Sequence, residues 1–323
     1  MLIDHGPALV TGAAGFIGSA LVAELLRQGV PVTAVDRLPW TDADRLHQLA
    51  GASGFGYHPV DIGADGTLTD LLRGQDVVYH LSANTENRPD RAGRDSDLRD
   101  TVGGTVALLE SLPREHAPTV VLTSSQLVYA ADGRGGAVTE AAGTVRPITR
   151  FAAGKASAEA FLSAYAHENG LRTAACRLSN VVGPGMRRGI VHDIVQRLRE
   201  DPERIRLLGD GWQTRSYLHV ADCVSALCAA ASLRETFRAV NVCNTDAISA
   251  AEVAAVVAEE FPHGNPSIST AGGGQGWAGD LPTLRVHPEV LLGRGWRPVR
   301  DSAAAVRDTA RSLFATLDDR TSA

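Results

Sequence analysis

Lysine is nearly absent from this chain: of 31 lysine and arginine residues, Lys155 is the only lysine. Other absences narrow the possibilities first. No apolar run reaches the roughly 18–20 residues that a membrane span requires, and the start, Met1-Leu2-Ile3-Asp4-His5, lacks a charged region followed by an apolar one. Cys176, Cys223, Cys228 and Cys243 show no CxxC spacing, so they are expected to be buried, reduced thiols. The ten histidines form no HExxH-like pattern, and no metal is expected. The net charge is −6 with scattered basic residues, which argues against nucleic acid and leaves no polybasic patch for a membrane surface. The expectation is a cytoplasmic protein whose partner is a small molecule.

With 323 residues, 44% of them hydrophobic and 21% charged, the chain can bury a large core in one big or two interlocked α/β domains. Short β-branched runs alternate with amphipathic segments, as in a parallel sheet covered by helices on both faces. Leu9-Val10, 32–35, 56–60, 77–81, 119–122 and 173–176 read as strands; 18–27, 102–112 and 153–166 read as helices. From about Ser179 the alternation breaks at Gly183-Pro184-Gly185, and a glycine-rich loop follows at 272–276. The spacing predicts a doubly wound first domain over 1–178 and a smaller substrate-binding domain over 179–323. Segments near 215–243, namely 217–220 and 240–243, are expected to return to the main sheet.

The strongest local signal is Thr11-Gly12-Ala13-Ala14-Gly15-Phe16-Ile17-Gly18, between the first strand and the first helix. Gly12 permits a tight turn, Gly15 lets backbone approach a pyrophosphate, and Gly18 lets the helix lie close to the strand. The helix start offers unpaired N–H groups to the anion, with Phe16 and Ile17 alongside. Asp36, eighteen residues after Gly18, can accept from both adenosine ribose hydroxyls, which favours NAD. Arg37 beside it can hold a 2′-phosphate and keeps NADP open. Asp61-Ile62 suits the adenine edge.

Further motifs follow in order: His80-Leu81-Ser82-Ala83-Asn84, Thr123-Ser124-Ser125-Gln126-Leu127-Val128-Tyr129, Arg177-Leu178-Ser179-Asn180 with Val181-Val182-Gly183-Pro184, Gln213-Thr214-Arg215-Ser216-Tyr217, and Gly276-Trp277-Ala278-Gly279-Asp280. With the glycine turn, these resemble the extended short-chain dehydrogenases/reductases nearly end to end, and more narrowly the UDP-glucose 4-epimerase-type proteins of the NAD-dependent epimerase/dehydratase family. The resemblance implies a Rossmann-type doubly wound sheet with a smaller C-terminal domain, and a homodimer through a four-helix interface that includes 102–112 and 153–166. It places Leu81, Ser82 and Ala83 at the cofactor. It places Asn84, Ser124 and Gln126 toward the substrate, with Ser125 bonding the reacting hydroxyl. Asn180 and Arg215 stand where the family holds a nucleotide diphosphate. The family's YxxxK tyrosine is its general acid and base, while the lysine holds the nicotinamide ribose.

Here the chain departs from the pattern. Phe151-Ala152-Ala153-Gly154-Lys155 keeps the lysine and replaces the tyrosine by phenylalanine; Glu140, Pro147 and the alanine-rich helix remain in family position, and no tyrosine lies between Tyr129 and Tyr165. Lysine's ammonium is compact and its pKa can move, whereas arginine stays charged, so retention of a lone lysine here marks function. Thr101 stands at a family asparagine. Gln275 stands at the arginine that contacts the nucleotide diphosphate. Gln126 and Leu127 stand where dehydratase relatives carry acids, which disfavours elimination of water. Three readings remain open: an NAD-dependent epimerase or oxidoreductase acting on a nucleotide-sugar hydroxyl or ketone, with Ser125, water or the substrate handling the proton; a ketoreductase for a non-nucleotide substrate that supplies its own proton; and a non-catalytic NAD-binding module.

Overall fold

A computed structural model describes residues 6–63, 67–85, 95–129, 137–141, 143–272 and 284–321. In chain order the elements are β1 (Ala8–Thr11), α1 (Phe16–Arg27), β2 (Val32–Asp36), β3 (Phe55–Pro59), α2 (Thr67–Leu72), β4 (Val77–His80), a π-helical segment (Asp97–Gly103), α3 (Gly104–Glu110), β5 (Thr119–Ser125), α4 (Arg150–Asn169) and β6 (Thr173–Leu178). They continue with β7 (Asn180–Val182), α5 (Ile190–Glu200), β8 (Arg204–Leu207), β9 (Thr214–Arg215), β10 (Tyr217–His219), α6 (Val220–Ala231), β11 (Phe237–Val242), β12 (Ile248–Ser249), α7 (Ala250–Glu259), β13 (Ser267–Thr270), α8 (Glu289–Gly293) and α9 (Ser302–Thr321). Two compact units result, one of residues 1–130, 144–178 and 224–242, the other of 131–143, 179–223 and 243–323.

The first unit is built on a seven-stranded, all-parallel sheet in the order β11-β6-β5-β4-β1-β2-β3. This is a Rossmann-type doubly wound sheet extended by one strand. Every residue of β1, β4 and β5 is buried, which explains why these strands read as continuous apolar runs without alternation. The edge strand β3 is half-buried and ends at Pro59, where a missing N–H costs no ladder bond. Leu9, Val78, Val120 and Leu122 of the sheet pack with Leu108 of α3 and Leu162 of α4. Each such side chain contributes about 1.5–3 kcal/mol on burial. Strand order reverses at β1, between β2 and β4, so a crevice for ligands opens beyond the carboxyl ends of β1 and β4.

Local chemistry sets the helix ends. The Thr149 side chain accepts from Ala152 N–H at 3.2 Å to start α4, and Gly170, at φ +66°, ends it. The helix therefore begins at Arg150, earlier than the expected 153, and Phe151 lies in its first turn. The helix expected over 102–112 instead begins as the π-helical segment. Two successive glycines, Gly103 and Gly104, weaken α-helical preference there, and the Thr105 hydroxyl donates to the Thr101 carbonyl at 2.7 Å. Gly154 of α4 faces this segment, where an added Cβ would meet both Cβ and the carbonyl oxygen of Asp97 at 3.4 Å, an ordinary contact distance.

In the second unit β10 pairs in parallel with β7, β9 with β12 antiparallel, and β8 with β13 in parallel. This corrects the expectation for 217–220. β11 pairs along the whole of β6, whereas β10 forms its own pair with β7 and passes its Tyr217 N–H to Ser302 Oγ at 3.1 Å. Residues 240–242 do lie in the main sheet, within β11. The stretch 137–141, placed by sequence in the first domain, belongs to the second unit, where Val138 N–H donates to the Arg285 carbonyl at 2.7 Å. Among the described residues no helix is long and apolar enough to cross a membrane, and no group of three metal-ligating side chains is assembled.

Candidate active site

The glycine turn follows directly from β1. Gly12 has φ +66°, and a Cβ on it would sit 2.9 Å from Ser82 N. A Cβ at Gly18 would lie 2.1 Å from the Gly12 carbonyl oxygen, so only glycine lets α1 approach the turn. The first turn of α1 has neither a side-chain cap nor an acidic residue, which leaves its N–H groups and positive dipole end for an anion. Asp36 Oδ2 accepts from Ala14 N–H at 3.0 Å and Oδ1 from Leu38 N–H at 3.2 Å. These bonds hold the carboxylate beside the turn, and each oxygen retains a lone pair. Arg37 leans to Asp100 at 3.5 Å. Phe16 and Ile17 are half-buried at the start of α1, with the Arg45 guanidinium 5.9 Å from the Phe16 ring. Asp61 is exposed and accepts from Gly63 N–H, and the Ile62 side chain is 7% exposed and packs into the core with Leu9 and Val35.

A buried histidine that the motif reading left without a role anchors the other lip of the crevice. His80 Nδ1 lies 2.8 Å from Thr11 Oγ1, and Nε2 lies 3.1 Å from Thr105 Oγ1. Because the Thr105 proton already goes to the Thr101 carbonyl, Thr105 must accept from Nε2–H. Nδ1 is then the acceptor for the Thr11 hydroxyl, and Thr11 Oγ1 in turn accepts from Leu81 and Ser82 N–H, both at 3.2 Å. Burial, with the Lys155 charge adding to it, pushes the imidazole pKa down to about 3, so the ring is neutral. Leu81, Ser82, Ala83 and Asn84 are half-buried on this lip. Asn84 N–H donates to Thr101 Oγ1 at 3.1 Å and its Nδ2 to Asp97 at 2.8 Å, so Thr101 provides a backbone anchor with a hydroxyl in place of a carboxamide.

Lys155 is 6% exposed, and its Nζ donates to the Thr123 carbonyl on β5 at 2.7 Å. Burial lowers its pKa to about 8, against the opposing charges of Glu159 and Asp97. Phe151 stands one helical turn earlier, four residues away and therefore on the same side of α4. Ser125 closes β5, and its Oγ accepts from Leu127 N–H at 3.2 Å. Gln126 is 2% exposed, and its Oε1 has no hydrogen-bond partner among the described residues.

Ser124 departs from the substrate-facing role expected of it. Its hydroxyl donates at 2.5 Å to Glu159, which Arg177 grips with Nε at 3.0 Å and Nη2 at 2.6 Å. Arg177 Nη1 continues to the Tyr129 hydroxyl at 2.8 Å, and Tyr129 donates to Asn241 Oδ1 at 2.8 Å. The guanidinium also lies 4.7 Å from the Tyr129 ring. This network ties β5, α4, β6 and β11 together. Residues alternate across a strand, so Ser124 points to the opposite face from Ser125, a parity signal that sequence reading can use. In the second unit Asn180 N–H donates to the Ser216 carbonyl at 3.3 Å, which places Asn180 beside the strand that follows Arg215. Arg215 is 9% exposed and donates to the Thr214 carbonyl at 2.9 Å, and Asn180 is exposed. Gln275 lies outside the described residues.

The sheet order and the glycine cradle define a dinucleotide-binding protein of the extended short-chain dehydrogenase/reductase class. A model described as the NAD dependent epimerase/dehydratase family matches residues 8–243, and the chain belongs to that family. A dTDP-glucose 4,6-dehydratase from Streptomyces griseus is 33% identical over 261 residues, 78% of this chain and 77% of the relative. A UDP-glucose 4-epimerase from Streptomyces lividans is 27% identical over 321 residues, 94% of each. Among solved structures, a UDP-galactose 4-epimerase superposes with TM-score 0.78 at 31% identity, covering 96% of this chain and 99% of that one. MoeE5 in complex with UDP-glucuronic acid and NAD superposes with TM-score 0.81 at 28% identity, covering 96% and 100%.

Proposed function

We propose that this chain is an NAD-dependent enzyme that oxidises and re-reduces a hydroxyl of a nucleotide sugar, in the manner of a 4-epimerase, with acid–base chemistry altered at Phe151. The observation that carries the reading is Lys155, the sole lysine, buried at the carboxyl end of β5 in the unit that also bears the glycine cradle. The cradle fits a dinucleotide: added Cβ atoms would collide at Gly12 and Gly18, and α1 presents uncapped N–H groups. Asp36 faces the adenosine ribose with free lone pairs, and Arg37 already has a carboxylate partner in Asp100, which supports NAD over NADP. When bound, the nicotinamide ring accepts and returns a hydride. The chain's own residues orient it: Thr11 fixes the 81–82 backbone, and Lys155 donates to its ribose. Ser125 donates to the reacting oxygen, and Asn84 and Gln126 face the sugar.

Epimerisation is favoured over dehydration because Gln126 and Leu127 supply no carboxylate beside Ser125. Asn180 and Arg215 would bind the diphosphate, a charge-assisted pair contributing about 1.5–3 kcal/mol. The active species is a homodimer through the α3 and α4 faces, where Phe161 is 43% exposed and Leu98, in the adjoining π-helical segment, 70%. Anaerobic incubation with a panel of nucleotide sugars is expected to produce a transient reduced-nicotinamide absorbance. A protein that binds NAD but produces no such transient across the panel is instead the binding module that Phe151 suggests. Phe151→Tyr is expected to change the rate of the transient, and an unchanged rate would separate this position from proton transfer.

A further inference from the structure

We propose that Lys155 itself moves the hydroxyl proton, taking the part that a tyrosine phenol plays at position 151 in relatives. The inference rests on the proposed oxidation and re-reduction of an alcohol.

The neutral amine accepts the alcohol proton, so the O–H bond breaks and an N–H bond forms. The hydride on the same carbon goes to the oxidised nicotinamide dinucleotide, leaving a carbonyl and a reduced nicotinamide. Return of the hydride to the carbonyl carbon draws the proton back from the ammonium to oxygen, and the amine and the oxidised dinucleotide are regenerated.

The surroundings of Nζ suit an amine that gains and loses a proton. A buried ammonium is retained as a permanent charge when a carboxylate pairs with it. Among the described residues none lies within ion-pair distance of Nζ, whose hydrogen bond goes to the neutral Thr123 carbonyl. Glu159, one turn further along α4, is held by Arg177 and Ser124. Asp97, on the π-helical segment, accepts from Asn84. His80, on β4, is neutral, with both ring nitrogens engaged by threonines. Desolvation thus dominates, lowering the lysine pKa to about 8 and putting amine and ammonium both within reach near neutrality.

Other candidates are already committed. The Tyr129 phenol donates to Asn241 and accepts from Arg177. Ser125 accepts a backbone N–H, and a hydroxyl without an adjacent base is a weak proton acceptor. Phe151 has no titratable atom. Arginine would preserve a cation at 155 without ever releasing its proton, which accounts for a lysine at this one place among 31 basic residues.

A single lysine makes the measurement direct, because labelling lysine at the ε position marks one side chain in the whole protein. In the protein without added cofactor its NMR titration is expected near pH 8, against an ordinary 10.5; a midpoint at 10 or above overturns the proposal. Lys155→Arg is expected to bind NAD within a few-fold of the parent and to form reduced nicotinamide roughly 10²- to 10⁴-fold more slowly, the range that proton transfer by a side chain is worth. In Lys155→Gly, small primary amines are expected to restore the rate in proportion to their free-base concentration. An arginine variant with more than a tenth of the parent rate, or a glycine variant that binds NAD and ignores amines, also overturns it. Failure of the parent protein to bind NAD at all would instead sink the broader functional reading; should either variant fail to fold or to bind NAD, the titration of the parent protein decides.

Discussion

Removing Arg177 tests the buried network beneath the candidate site. Both partners of the Arg177–Glu159 pair have side chains only 6% exposed. Burial alone would lower the guanidinium pKa, but the hydrogen bonds and charge of Glu159 outweigh it and raise it. Arg177→Met deletes three N–H donors to Glu159 and Tyr129 and leaves a carboxylate buried with the Ser124 hydroxyl as its remaining bond in this network. Breaking one side of a buried pair costs about 3–5 kcal/mol, or roughly 10²- to 5 × 10³-fold in the unfolding equilibrium. The double variant Glu159→Leu/Arg177→Met removes the orphaned charge and is expected to recover most of that loss, because apolar replacement of a buried pair is often neutral. Urea unfolding of parent, single and double variants measures this, with equal slopes required for the comparison. A single variant that loses less than about 1 kcal/mol, or a double variant as unstable as the single one, would refute the reasoning. Recovery of stability without recovery of turnover would show that the network also orients β5 and α4 for catalysis.

Other perturbations separate cofactor, pH and assembly. Gly18→Ala drives a methyl into the Gly12 carbonyl, and the resulting strain of about 1–3 kcal/mol predicts NAD affinity roughly 10- to 100-fold weaker by calorimetry; equal affinity would contradict the cradle. His80 has its pKa lowered from 6.5 to about 3, so the unfolded chain binds more protons between those values and stability falls as pH drops below 6.5, by about 1.4 kcal/mol per unit. His80→Asn is expected to flatten that part of the stability–pH curve, and an unchanged slope would place the acid sensitivity elsewhere. Phe161→Glu puts a charge on the exposed face of α4 and is expected to elute at the monomer mass; a parent that is itself monomeric would remove the dimer proposal.

Much of the first unit was legible because its signals are local. Glycine spacing between Gly12 and Gly18 states a backbone requirement that holds whatever surrounds it, and continuous apolar runs such as 119–122 identify strands buried on both faces. Lys155 stood out by composition alone. The helix over 102–112 was read only in part, since apolar spacing does not distinguish a π-helical turn over 97–103 from an α-helical one. Ser124 and Ser125 look equivalent side by side until strand parity and the Glu159 contact tell them apart.

Partners remote along the chain belonged to the tertiary structure. Tyr129 and Asn241 are 112 residues apart, and Thr11 and His80 are 69 apart, so no spacing rule connects them. Strand pairing is also a collective property: β11 pairs with β6 and β10 with β7, and no local spacing distinguishes the two. The chain by itself determined that one lysine follows one phenylalanine by a helical turn. Only the folded arrangement decided that this lysine is buried beside a neutral carbonyl while both neighbouring carboxylates are engaged elsewhere, because desolvation and pairing arise from whatever other segments bring to the same place.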